Sequence, residues 1–210
     1  IKRYGYVDNG LYLINTHNGT KGKIERIHIE DYPAIKEWLD KGGIAYNGKI
    51  YKGYSQIVKR FDQGDTPYNL RNCAYMEDFN KPKIIYPNMT KYMPFVFDNK
   101  MYFTNQKCFI ITGKYVAYLT AFFNSSLFKY CFRDSFPELQ GGTRELSKIF
   151  FDKIPVYEVS NVQNLQFQDA VEDIQKEYTK QTALRIDSML FDLYNLTDEE
   201  RKAIGFVEIQ

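Results

Sequence analysis

Histidine and cysteine are scarce in this chain of 210 residues: two histidines, His17 and His28, and three cysteines, Cys73, Cys108 and Cys131. An odd cysteine count without a CxxC pair argues against a disulfide framework and against a zinc site. Two histidines are too few for a multi-histidine centre. A nucleophilic triad needs a histidine base, and His17 falls in a turn while His28 alternates along an apparent strand. Cys131 follows a helical stripe and reads as core. The phosphate cradle GxxxxGK[ST] is missing, so the glycine pair of "ELQGGTRE" stands without the context that would make it a nucleotide loop. Carboxylates do not gather on a strand pair as a metal-dependent nuclease requires. Asp169, Glu172, Asp173 and Glu177, then Asp198, Glu199 and Glu200, have the spacing of solvated helix faces. No apolar run nears eighteen residues, so no transmembrane helix is expected. There is no signal-peptide pattern either, and a reducing cytoplasm is the expected compartment. The chain begins at Ile1 and reads as a piece of a larger polypeptide.

Aromatic side chains are plentiful, with 18 Tyr and 16 Phe against a single Trp. A tyrosine hydroxyl seeks a polar partner, so many of these rings are expected at a surface. The net charge of +2 conceals an uneven distribution. Residues 41–115 carry twelve basic and five acidic side chains, whereas residues 156–210 carry five basic and eleven acidic. A basic middle points to a polyanionic partner, and an acidic tail suits a protein neighbour.

Local patterns predict an α+β fold: a mixed or antiparallel sheet, a long C-terminal helix and a short terminal helix. Strands are expected at 11–14 and 24–29, joined by the turn "NTHNGTKG", and at 83–86, 95–97, 101–103 and 108–111. A helix is expected over 30–43, capped by Asp31, with Pro33 in its first turn and Gly42–Gly43 as its stop. Residues 115–132 read as one buried helix, 148–159 as holding a strand, and 162–194 as one long amphipathic helix. Thr197 and Glu200 form a capping box, and Gly205 closes the last helix. The expected division is a recognition domain over 1–160 and a helical extension over 161–210.

Three stretches suggest a binding surface. In "DTPYNLR" a turn presents Tyr68 and Arg71, a ring beside a phosphate- or guanine-binding fork. In "KPKIIYPNMTKY", Lys83 and Ile85 should face one side and Ile84 and Tyr86 the other, with Lys83, Tyr86, Asn88 and Lys91 available to a partner. In "QGGTRELSK", Gly141 and Gly142 allow close backbone approach, and Gln140, Thr143, Arg144 and Lys148 supply donors. Together they describe one basic, tyrosine-interleaved, non-catalytic face.

Four segments in order, at 82–87, 121–125, 153–156 and 190–200, resemble the TaqI-like C-terminal specificity domain ("PKIIYP", "AFFNS", "KIPV" and "LFDLYNLTDEE"). The resemblance spans residues 60–205. It implies target recognition on double-stranded DNA within a restriction–modification polypeptide, downstream of an adenine methyltransferase domain and with or without an endonuclease. It also implies that S-adenosylmethionine, and Mg2+ where a nuclease is present, serve the parent enzyme, while this fragment binds no cofactor and catalyses nothing. The "NPPY" methyltransferase motif does not occur in these residues. The alternative is a protein-interaction or scaffold domain that uses the long helix.

Overall fold

The computed structural model describes residues 1–208, and the backbone alone at Tyr46. The chain divides into two compact units, Ile1–Asn9 with Glu77–Gln210, and Gly10–Met76. Compaction therefore divides the chain at 9/10 and 76/77, and the helices beyond residue 160 share one unit with the sheet that precedes them.

The larger unit is α+β. Its sheet has the order β5 (Val96–Asp98), β3 (Lys83–Pro87), β6 (Cys108–Thr112), all antiparallel. A two-stranded ribbon joins β4 (Met89–Thr90) to β7 (Arg144–Glu145). Ile84 and Tyr86 face a core built from α3 (Val116–Asn124), α4 (Ser126–Phe132), α6 (Asn161–Lys176) and α7 (Lys180–Leu193). Phe95, Phe122, Phe123, Phe128 and Phe151 meet there edge to face or tilted, the arrangement that ring quadrupoles favour. The short α5 (Lys148–Phe151) supplies Phe151, and α8 (Asp198–Ile204) follows α7.

The "FFNSS" segment explains itself in this setting. Edge strand β5 has backbone groups that no neighbouring strand pairs, a template for unwanted association if left open. Asn124 answers those just before the strand, accepting from Phe95 N–H (3.1 Å) and donating to Phe95 O (2.7 Å). Gln175 of α6 answers those within it in the same way at Phe97, at 2.7 and 2.9 Å. Ser125 then caps α4 by accepting from Phe128 N–H at 3.0 Å, and Ser126 donates to the buried carboxylate of Asp187 at 2.6 Å. That carboxyl is raised above the usual range by burial. The N-terminal residues close the unit: Arg3 donates to Asn124 O at 3.0 and 2.7 Å and to Val207 O at 3.1 Å.

Several expectations need correction. Residues 115–132 are two helices, because Ser125 turns extended and starts a new one. Residues 162–194 are also two helices, separated at 177–179, where Thr179 and Thr182 form a second capping box. Both pack apolar side chains, Phe167, Val171, Ile174, Ile186 and Leu190, into the common core. Residues 148–151 are helical rather than extended. The segment 101–103 forms no strand: Asp98 folds it back by accepting from Lys100 N–H (2.8 Å) and Tyr102 N–H (3.0 Å). The capping boxes at Ser160 and Thr197 hold their helix starts as side-chain chemistry dictates.

The unit Gly10–Met76 is irregular. It contains α1 (Pro33–Lys41), a hairpin of β1 (Gly43–Ile44) with β2 (Ile50–Tyr51), and α2 (Tyr54–Ile57). Pro33 opens α1 as expected, but Asp31 lies in a 3-10 turn and Tyr32 occupies the cap without a side-chain bond. Residues 11–14 and 24–29 form no strand; Thr20 and Ile24 make a single bridge. Ile29 and Ile57 are the buried large apolar side chains among its described residues. Polar bonds hold much of the rest. Asn69, 1% exposed, donates to Ile27 O at 2.9 Å and accepts from Thr66 Oγ1 at 2.6 Å. Among the described residues of the chain, no helix is long and apolar enough to cross a membrane.

Candidate nucleic-acid interface

In the Gly10–Met76 unit a tight loop projects two lysines. Thr20 and Ile24 exchange backbone bonds of 2.8 and 3.0 Å, and Ile27 N–H donates to His17 O at 3.0 Å. Gly22 turns the tip with φ 76°. Gly19 has φ 72°, and a Cβ there would lie 2.4 Å from Ile24 O, so no other residue fits. Asn18 fixes this loop to the segment 65–72: it accepts from Asp65 N–H at 2.8 Å and donates to Asp65 Oδ1 at 2.9 Å and Asn72 Oδ1 at 2.6 Å. Between them lies an open groove of about 860 Å³ lined by Asn18, Lys21, Lys23, Arg26, Asp65 and Asn72, among others. Arg26 leans toward Asp65 at 3.4 Å, the remaining carboxylate of the lining being Glu25. Lys21 and Lys23 are exposed, as is Arg71 beside Asn72. Such a groove can hold phosphate oxygens with its exposed lysines, while the amide nitrogen of Asn72, whose oxygen Asn18 engages, can offer a directional bond.

The two residues assigned to "DTPYNLR" have different fates. Arg71 is solvent-facing. Tyr68 is half-buried, donates to Asp40 Oδ1 at 2.6 Å and packs against Tyr54 with ring centroids 5.7 Å apart. Its hydroxyl is raised by burial and by the Asp40 carboxylate. Asp40 is itself lowered by Lys36, then by Tyr68. Tyr68 therefore helps hold its own unit together, with its hydroxyl already engaged by Asp40.

In the larger unit the ribbon β4–β7 brings two predicted stretches together. Thr90 stands opposite Arg144 and Met89 opposite Glu145. Asn88 sits at the junction, its N–H on Lys107 O (3.0 Å) and its C=O accepting from Leu146 N–H (2.8 Å). Thr90 Oγ1 accepts from Tyr92 N–H (3.1 Å) and Met93 N–H (3.2 Å), so the chain turns sharply. Met93 is buried by that turn, while Lys91 and Tyr92 are left in solvent. Gln140 and Gly141 are exposed, and Gly142 and Thr143 are half-buried. A Cβ on Gly142 would come within 3.9 Å of the Lys91 stem, which places the two loops side by side. Gly141 and Gly142 have φ of 73° and 76°.

Three other assignments to this unit are corrected. Lys83 is fully buried and paired with Asp98. The predicted alternation holds, but segments 76–80 and 98–103 cover the face that Lys83 occupies: its ammonium donates to Phe79 O at 2.7 Å, and Phe79 stacks on Phe103. Tyr86 is 3% exposed among Phe95, Phe109 and Phe151, and burial pushes its hydroxyl up to about 12. Arg144 lies beneath its loop, donating to Phe136 O (2.7 Å), Asp134 (2.8 Å) and Glu138 (3.1 Å). It acts as an internal brace, and its charge is offset. Lys148 is exposed and pairs with Asp152, one turn away. The larger unit thus lacks the uniformly cationic strand face that the sequence suggested. Sequence reading also passed over Lys21, Lys23 and Arg26. Their signal was present as "GTKGK", lysines flanked by turn-forming glycines.

Residues 39–156 match the model of the TaqI-like C-terminal specificity domain. The match contains three of the four resemblance segments and leaves the fourth, at 190–200, outside. No curated protein matches the chain.

Proposed function

The chain belongs to the TaqI-like C-terminal specificity domain family, and from that premise we propose that it recognises specific sequences in double-stranded DNA. Family membership implies a DNA-recognition role in restriction–modification enzymes and a domain that is generally non-catalytic. The observation that carries the reading to particular residues is the groove of the Gly10–Met76 unit. There the Asn18 bonds to Asp65 and Asn72 hold Lys21 and Lys23 on one wall and the start of the Arg71 segment on the other. Lysine and arginine neutralise phosphates, while amides and arginine forks read base edges. In the larger unit, Lys91, Tyr92, Gln140, Gly141 and Thr143 form a second patch that suits hydrogen-bonded contact more than charge neutralisation, because Asp134, Glu138 and Glu145 lie close by in the chain.

The rest of the proposal concerns the polypeptide around this domain. An adenine methyltransferase domain would share the chain, bind S-adenosylmethionine and perform the transfer. A nuclease domain, where present, would use Mg2+. The residues described here would position the target and leave chemistry to those domains.

A gel shift with mixed-sequence duplexes at two salt concentrations tests the reading. The expected result is a retarded duplex whose fraction falls as salt rises. Failure to retard any duplex at the lower salt contradicts it.

A further inference from the structure

The hairpin β1–β2 holds two isoleucines in water. Gly43 pairs with Tyr51, and Ile44 pairs with Ile50. Tyr51 turns toward α1, where its hydroxyl donates to Leu39 O at 3.0 Å. Successive residues of a strand point to opposite faces, so the Ile44–Ile50 pair points away from α1, and each side chain is 76% exposed.

The hairpin is firmly fixed to its unit. Gly42 and Gly53 flank it with φ of 73° and 64°. A Cβ on Gly42 would lie 2.2 Å from Tyr51 O, and one on Gly53 would lie 2.2 Å from Asp40 O. Ala45 N–H donates to Lys49 O at 2.7 Å across the turn. Residues 42–61 contain Lys49, Lys52, Lys59 and Arg60 and no aspartate or glutamate. Lys49, Lys52 and Lys59 are exposed. Asp40, which precedes the hairpin in the chain, is already engaged by Lys36 at 2.7 Å and by Tyr68 at 2.6 Å. An apolar pair framed by free lysines complements a polyanion with apolar features at its centre. A duplex major groove is such a surface. It admits a two-stranded β-ribbon, its walls are phosphate, and the thymine C5-methyl is its apolar landmark.

We propose that Ile44 and Ile50 read thymine methyl groups in the major groove, with Lys52, which alternation puts on the same face, on a flanking phosphate. This rests on the DNA-recognition reading and adds the chemical feature that this hairpin discriminates.

The test uses the full chain and duplexes enriched by it from a randomised pool, resynthesised with deoxyuridine in place of thymidine. Removing the methyls should weaken wild-type binding roughly tenfold, the scale of one or two lost methyl contacts. The double variant Ile44→Ser/Ile50→Ser removes every methyl of the pair, and at side chains 76% exposed it should leave the fold in place. It should bind both duplexes alike, at the wild-type affinity for the uracil form. Equal wild-type affinity for the two duplexes overturns the inference and leaves DNA recognition standing. So does a serine variant that keeps the full preference, or one whose sole change is lost self-association or lost capture of a protein. If no duplex is enriched at all, both readings fall.

Discussion

Lys83 and Asp98 stand directly opposite each other on β3 and β5, Nζ 2.5 Å from Oδ2, with side chains 0% and 1% exposed. The pair is structural. Lys83 also donates to Phe79 O, and Asp98 also accepts from the Lys100 and Tyr102 amides, so the ions are well supplied with bonds. Breaking a buried pair leaves an uncompensated charge and costs about 3–5 kcal/mol. Lys83→Met should therefore lower the denaturation midpoint sharply. Adding Asp98→Asn should recover part of the loss. In whatever fraction remains folded, the salt dependence of DNA binding should be that of the wild type, because Lys83 touches no phosphate.

Arg144 should behave as a brace for the loop it sits beneath. It connects Phe136 O, Asp134 and Glu138, and Lys cannot reproduce a fork with several fixed donors. Both Arg144→Ala and Arg144→Lys should speed hydrogen exchange at Leu139 and Glu145, whose amides bond within this loop at 2.6 and 3.2 Å. The alanine variant should cost about 1–3 kcal/mol for the partners left unpaired. Unchanged exchange in both variants would show that the loop stands without its arginine.

Lys129 gives a pH signature. It is buried, donates to Met93 O, and its ammonium is held well below the ordinary lysine value, by burial first and then by Arg3 and Arg133. A folded-state value below the unfolded one means that the unfolded chain binds the extra proton between the two. The stabilising contribution is full above the ordinary lysine value, near 10.4, and is lost as pH falls through the lowered one. Wild-type stability relative to Lys129→Met should therefore rise between pH 8 and pH 10. Urea midpoints of the two proteins at those pH values measure it, and a constant difference would contradict the shift.

The parts of the fold that sequence showed best are those governed by nearby residues. The capping box at Thr197 and Glu200, Pro33 at the start of α1, and strands β3, β5 and β6 all follow from patterns a few residues long. What escaped depends on distant partners or on single breaking residues. Apolar periodicity runs straight through Ser125 and through residues 177–179, so four helices looked like two. "KIFF" has strand-like composition, yet Phe151 is drawn into a helix by the aromatic core around Phe123 and Phe136. At the candidate site, alternation placed Lys83 on the correct face of β3, but no local pattern shows that residues 76–80 and 98–103 cover that face. Tyr68 and Arg71 are three residues apart in one turn and serve different ends, because Asp40 lies within reach of the first. The lysines at 21 and 23 were visible throughout as part of a turn. What their pattern could not convey was Asn18, whose bonds to Asp65 and Asn72 make that turn one wall of a groove.

The most direct measurement is the salt dependence of duplex binding by the full chain and by the triple variant Lys21→Ala/Lys23→Ala/Arg71→Ala. All three side chains are exposed, so the variant should fold as the wild type does. If they neutralise phosphates, the slope of log K against log salt should become shallower by about 2 to 3 units, near 0.9 for each contact released. Parallel lines for the two proteins, with equal affinity at low salt, would show that this groove does not face DNA.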